Sequence, residues 1–261
     1  MQILAAPSGG KLGAFTDTFA GSGALDPRWS NTFGSSWSRL FDDAYTSTAA
    51  SSYPKATFDA GTSAVTVRAD VGVANTFGWG VLFWVVDANN WWAAHTYRTA
   101  YTCQTGTVTV CCACPDNSCG PDAGCNCKYC TSGCIEPCSP GPNVGTCTFP
   151  TFGTCYNYQV DIIRSVNGTL SLVNNLNVRQ GNIGAGETIQ YVQIQTTLAG
   201  QITLSAAMST GHTNTPLTIT PSSPNMGKRH GMIIVPLPTP TQPGSGGTQA
   251  DRIETFTYSP A

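Results

Sequence analysis

The sequence predicts an all-β protein, a sandwich of two antiparallel sheets with a cysteine-rich insertion at one hairpin tip. Three observations carry this expectation. Short apolar runs alternate with Gly, Asn, Asp and Pro punctuation from Phe15 to the end of the chain. No segment sustains the apolar period of about 3.6 residues that marks an amphipathic helix. All 12 cysteines fall between Cys103 and Cys155, inside an otherwise strand-like sequence. A length of 261 residues suits one undivided β domain, and 41% hydrophobic residues supply its core.

Residues 1–14 are small, polar and Gly-rich and read as an extended N-terminal arm able to bind a neighbouring subunit. Residues 15–261 read as the sandwich. In "AVTVRADV", Val65, Val67, Ala69 and Val71 point one way while Thr66, Arg68 and Asp70 point the other, as in a half-buried strand. "WGVLFWVVD", from Trp79, is apolar on both faces and belongs in the middle of a covered sheet. "DANN" turns the chain and "WWAAHTYR" returns as the hairpin partner. Further on, "YNYQVDIIRSV" and "TLSLV" flank Asn167-Gly168, a pair that supplies the positive φ angles of a two-residue hairpin turn. "IQYVQIQTTLAGQITLSAAM" repeats this arrangement around Ala199-Gly200. Residues 209–250 form a long Pro/Thr/Gly-rich loop region broken by one candidate strand, "HGMIIVPL", and "RIETFTYS" closes the chain as a final strand.

The insertion, residues 103–155, lies where the strand "WWAAHTYRTAYT" should turn back into "YNYQVDIIRSV". Its feet, Cys103 and Cys155, fall on neighbouring antiparallel strands, where the Cα separation suits a disulfide, and are expected to clasp the neck. Inside it there is almost nothing apolar to bury, so covalent or metal cross-links must hold it. Disulfides among Cys103, Cys111, Cys112, Cys114, Cys119, Cys125, Cys127, Cys130, Cys134, Cys138, Cys147 and Cys155 would use every cysteine. The rival is a zinc site in which Cys111, Cys114, Cys127 and Cys130 form two knuckle-like pairs, which leaves eight cysteines without a role. Disulfides are the preferred reading.

A formal net charge of −2 with 12 scattered basic residues argues against a nucleic-acid partner, which needs clustered Lys and Arg. No apolar run approaches the ~20 residues that span a bilayer, so no membrane partner is expected. The opening "MQILAAPSGGKLGAF" has neither a positive n-region nor an adequate h-region and reads as lacking a secretory leader. That conflicts with a disulfide-dense insertion, which belongs to an oxidising setting. A protein made in a cytoplasm and released by lysis, as a virion component is, reconciles the two.

The segments "DTFAGSGALDPRWS", "GVLFWVVDANNWWAAHTYR", "YQVDIIRSVNGTLSLV" and "RIETFTYS" resemble the concanavalin A-like lectin/glucanase sandwich in its laminin-G-like form, as found in bacteriophage virion proteins. The resemblance implies a jelly roll. It does not imply one function, because lectins, hydrolases, adhesion modules and viral structural proteins share that fold. Retaining glucanases of this fold need a close carboxylate pair, and the three glutamates here, Glu136, Glu187 and Glu254, stand apart. His95, His212 and His230 are also separated, with no Gly-x-Ser-x-Gly elbow. No enzyme and no catalytic residue are expected, and no cofactor is assigned. The one compact oxygen cluster suited to calcium, Asp87, Asn89 and Asn90, is equally explained by turn chemistry.

Trp79, Trp84, Trp91, Trp92 and Tyr97 are concentrated on two neighbouring strands and are the candidates for carbohydrate binding by ring stacking. About half of such residues must face the core, and the adjacent Trp91 and Trp92 must face opposite ways. The functional expectation is a non-catalytic virion structural protein of a tailed bacteriophage, in capsid decoration, tail or fibre. Its expected partners are neighbouring virion subunits, host-surface glycans and further copies of itself, at the virion surface. The alternative is a bacterial cell-surface or extracellular glycan-binding or adhesion module.

Overall fold

The computed structural model describes residues 11–29, 33, 35–46, 53–71, 78–113, 144–181, 187–235 and 252–261. The strands are β1 (Phe15–Asp17), β2 (Gly23–Ala24), β3 (Trp37–Leu40), β4 (Asp43–Thr46), β5 (Lys55–Asp59), β6 (Val65–Asp70), β7 (Trp79–Val85) and β8 (Trp91–Ala113). They continue as β9 (Val144–Val166), β10 (Thr169–Gly181), β11 (Ile189–Thr196), β12 (Ile202–Met208), β13 (Leu217–Ile219), β14 (Arg229–Ile234), β15 (Arg252–Ile253) and β16 (Thr255–Pro260). These form an all-β fold of three antiparallel sheets in a sandwich-like arrangement. The first has the order β1-β16-β6-β11-β12-β13, the second β10-β9-β8-β7-β14-β5, and the third β15-β4-β3-β2. The contacts divide the chain into two compact units, Met1–Thr99 with Asn157–Ala261, and Ala100–Tyr156.

The third sheet departs from the two-sheet expectation, and its cause is local. The β3–β4 hairpin turns at Phe41 and Asp42, both left-handed with φ of 52° and 66°, in a place where Gly or Asn would have announced the turn. The closing segment is also split. Glu254 separates β15, which pairs with β4, from β16, which pairs with β6, so "RIETFTYS" serves two sheets. Within residues 209–250, β13 adds a strand beside β12 that the Thr- and Pro-rich composition hides.

The main core lies between the first and second sheets. Val65, Val67 and Ala69 of β6 are fully buried while Thr66, Arg68 and Asp70 are half-buried, which is the alternation a one-sided strand requires. β7 is buried at all seven positions. Hydrogen-bonded on one side to β8 and on the other to β14, it is central, and both its faces are covered. A second aromatic cluster joins the chain's two ends: Phe15, Trp29, Phe58, Phe256 and Tyr258 pack with ring centroids 5.0–6.4 Å apart, mostly edge to face.

Within the unit Ala100–Tyr156, β8 and β9 run side by side, and Cys103 and Cys155 are joined by a disulfide with a Cα separation of 5.8 Å. Further along, the Thr105 hydroxyl donates to the Thr151 carbonyl (3.4 Å), and Gly153 lies against the Thr105 side chain. The ribbon continues past the clasp to Ala113 on one strand and starts at Val144 on the other. The expected contents of the insertion between those points lie outside the described residues. So do the side chains of Cys111, Cys112 and Cys147, and with them both the further disulfides and the zinc alternative built on Cys111, Cys114, Cys127 and Cys130.

Candidate functional site

The five aromatic candidates sit on β7 and β8, and the register decides which face each takes. Gly80 pairs with His95, Leu82 with Ala93 and Phe83 with Trp92. Phe83 and Trp92 therefore share the face toward the first sheet, and Gly80, Leu82, Trp91, Ala93, His95 and Tyr97 share the opposite one. Trp84 should alternate onto that second face. It does not, because β7 carries a bulge where Arg229 and Gly231 of β14 face Val85 and Leu82, and Trp84 takes a left-handed φ of 51°. The bulge turns the indole inward, where its Nε1 donates to the Ser63 carbonyl (2.8 Å) and its ring packs on Phe83 and Trp92 at 5.5 and 5.8 Å.

Burial settles the stacking expectation for the tryptophans. Trp79 and Trp84 are 0% exposed, Trp92 is 2% and Trp91 is 3%. A sugar ring stacks only on an open aromatic face, so these four indoles are core residues in this chain and offer no platform. Trp91 is on the outer face of the sheet but is roofed over. Lys55 Nζ sits 5.0 Å from its ring centroid, Tyr53 packs 6.0 Å away, and Leu82, Val85, Ala93, Ile163, Ile233 and Val235 join it in a satellite apolar cluster. Lys55 is itself buried, donates to the Tyr53 carbonyl (3.0 Å), and is held below the usual lysine range by desolvation.

Tyr97 is the one candidate that stays half-exposed. Its strand neighbour β9 places Ile163 in the same outer cluster, so by alternation Asp161, Gln159 and Asn157 share that face. They form a polar row. Gln159 donates from Nε2 to Asp161 Oδ1 (3.0 Å), and Asn157 donates from Nδ2 to Gln159 Oε1 (3.3 Å). Asp161 is pushed up to about 6, chiefly by burial, with the Gln159 hydrogen bond opposing the shift. Asn157 Oδ1 is buried with no hydrogen-bond partner. The row thus offers unspent acceptor capacity on the face that Tyr97 shares, at the border of the apolar cluster. Sequence reasoning missed it, although the signal was present: in "NYQVDI" the polar residues alternate with Tyr158, Val160 and Ile162, all buried on the core side.

The other singled-out residues make hydrogen bonds within the fold. Asp87 accepts hydrogen bonds at Oδ1 from the backbone N–H groups of Asn89 (2.8 Å) and Asn90 (2.9 Å), and both its oxygens accept from Asn90 Nδ2 (2.9 Å). Those bonds hold its pKa below the usual carboxylate range. Asn90 Oδ1 and the Asn89 carbonyl accept in turn from the backbone of Asn167 (3.1 Å) and Gly168 (3.0 Å), so "DANN" knits two hairpin turns together. Among the described residues no group of three or more His, Cys, Asp or Glu is placed to hold a metal ion. His95 and His230 are buried and lie on opposite faces of the second sheet. His230 donates from Nε2 to the Thr62 carbonyl (2.9 Å), and its Nδ1 has no partner. His95 donates from Nδ1 to the Thr96 carbonyl (3.2 Å). Burial pushes each imidazole down to about 4.

No known protein family, no curated protein and no solved structure matches the chain. Among the described residues no helix is long and apolar enough to cross a membrane.

Proposed function

We propose that the chain is a non-catalytic structural protein of a tailed bacteriophage particle, a jelly-roll sandwich with a cysteine-rich hairpin-tip insertion, that presents a polar row to host-surface glycans. The observation that carries this reading is the Cys103–Cys155 disulfide within the unit Ala100–Tyr156. Such a cross-link persists in an oxidising setting outside the cytoplasm, where an assembled particle works. A low charge content supports a passive role in an assembly over electrostatic capture of a charged ligand. The glycan-facing surface in this reading is Tyr97 with Asn157, Gln159 and Asp161, which combines one half-exposed aromatic ring with amide and carboxyl groups suited to sugar hydroxyls.

The test has two arms. Purified particles from the natural host should contain the chain at a fixed stoichiometry by quantitative mass spectrometry. Recovery from the cell-wall fraction instead would favour the bacterial surface module. The isolated protein should bind at least one host-surface glycan on an array, and Tyr97→Ala and Gln159→Ala should each weaken that binding at least tenfold. Binding unchanged in both variants would remove the polar row from the proposal.

A further inference from the structure

Among the described residues the second sheet ends at β10, and that edge is unlike the others. The edge strands β1 and β13 of the first sheet have three residues each, and β5, at the far side of the second sheet, has five and carries Lys55 and Asp59. β10 has 13 residues, and its stretch "TLSLVNNLNV", Thr169–Val178, contains no charge, no proline and no glycine. Leu172 is 58% exposed and Val173 is 38% exposed, on opposite faces of the strand. At its far end Asn214 Nδ2 donates to the Asn177 carbonyl and Arg179 is tied to Glu187 by an ion pair of 2.6 Å, so the open segment runs over Thr169–Asn175. A long edge whose open stretch carries no charge and no proline is a template for another strand.

The hairpin fixes which backbone groups are free. Asn167 and Gly168, with φ of 51° and 81°, make a two-residue turn, so Val166 and Thr169 close it as a hydrogen-bonded pair. By alternation Thr169, Ser171 and Val173 direct N–H and C=O toward β9, whereas Leu170, Leu172 and Asn174 direct theirs outward.

We propose that the occupant of this edge is β10 of a second copy, paired antiparallel about a two-fold axis to join two second sheets into one. Two features favour self-pairing. A perpendicular two-fold brings each outward-pointing residue opposite another outward-pointing residue on the same face. With the axis at Leu172, Leu172 meets its symmetry mate, and Leu170 meets Asn174 of the other copy. The uncharged stretch also brings no like charges together when it faces itself, a condition a charged edge would fail.

The test uses the full-length protein in sedimentation velocity from about 1 to 200 μM, with no other partner present. Wild type should dimerise with concentration. Leu172→Lys and Leu172→Glu, at an exposed position that leaves the near-ultraviolet circular dichroism unchanged, should each weaken dimerisation at least tenfold, and an equimolar mixture of the two should restore it. The proposal is overturned by a wild type that stays monomeric throughout, which would assign the edge to a different chain. It is equally overturned by a dimer indifferent to both substitutions, or by a mixture that stays monomeric.

Discussion

Lowering the pH from 7 to 5 should destabilise the sandwich by about 3 kcal/mol, and the size follows from two buried imidazoles and one half-buried carboxyl. His95 and His230 have folded-state values of about 4 against 6.5 for a free imidazole. The unfolded chain therefore takes up protons first, and stability is lost as the pH falls from about 6.5 to about 4. Each histidine costs about 2 kcal/mol over the step to pH 5. Protonating His230 would also place an N–H on its unpartnered Nδ1, beside the Phe58 ring 6.3 Å away. Asp59 is the one charge that favours the protonated form. Asp161 works in the opposite direction. Its folded value of about 6 exceeds the free value of 3.8, so acidification returns stability between pH 6 and 4. Its partial exposure halves that return to roughly 0.7 kcal/mol. Urea unfolding followed by tryptophan fluorescence at pH 7, 6 and 5 measures the sum, and His95→Gln and His230→Gln should each remove about half of the pH dependence. A stability that is flat or rising from pH 7 to 5, or a pH slope unchanged in both variants, would refute the assignment of these imidazoles as buried and neutral.

Replacing both Cys103 and Cys155 by serine should release a loop closed across a sequence separation of 52 residues. The chain-entropy estimate for that loss is about 4 kcal/mol, read as faster limited proteolysis within Ala100–Tyr156 than in wild type. Trp92→Ala removes a buried indole packed on Phe83 and Trp84 and should cost about 3–5 kcal/mol in urea unfolding. Gly168→Ala should cost about 1 kcal/mol from its left-handed φ alone, because a methyl group there would meet nothing closer than Asn89 Oδ1 at 3.7 Å.

What the sequence made legible was local and periodic. The alternation of Val65, Val67 and Ala69, the apolar run of β7 and the Asn167-Gly168 turn each follow from a residue pattern that one structure satisfies. The pairing of Cys103 with Cys155 was legible for a similar reason, since both flank one hairpin. The third sheet was not. Its hairpin turns on Phe41 and Asp42 without a glycine, and its other strands, β2 and β15, are two residues long. Trp84 was one of five stacking candidates, and a bulge that the residue pattern does not announce sends its ring inward. It was missed at Asp161 and Gln159 because a polar residue in a strand ordinarily signals solvent. Here β9 lies inside a six-stranded sheet, and the row borders a buried cluster.

The proposed role, work outside the cytoplasm as part of a phage particle with Cys103 and Cys155 linked, is open to one direct test. Non-reducing peptide mapping of particles purified from the natural host, with free thiols alkylated before digestion, tests both halves at once. The expected result is a linked peptide pair containing Cys103 and Cys155, recovered with the particle. Cys103 and Cys155 alkylated as free thiols, in a chain found only in the soluble host lysate, would contradict it.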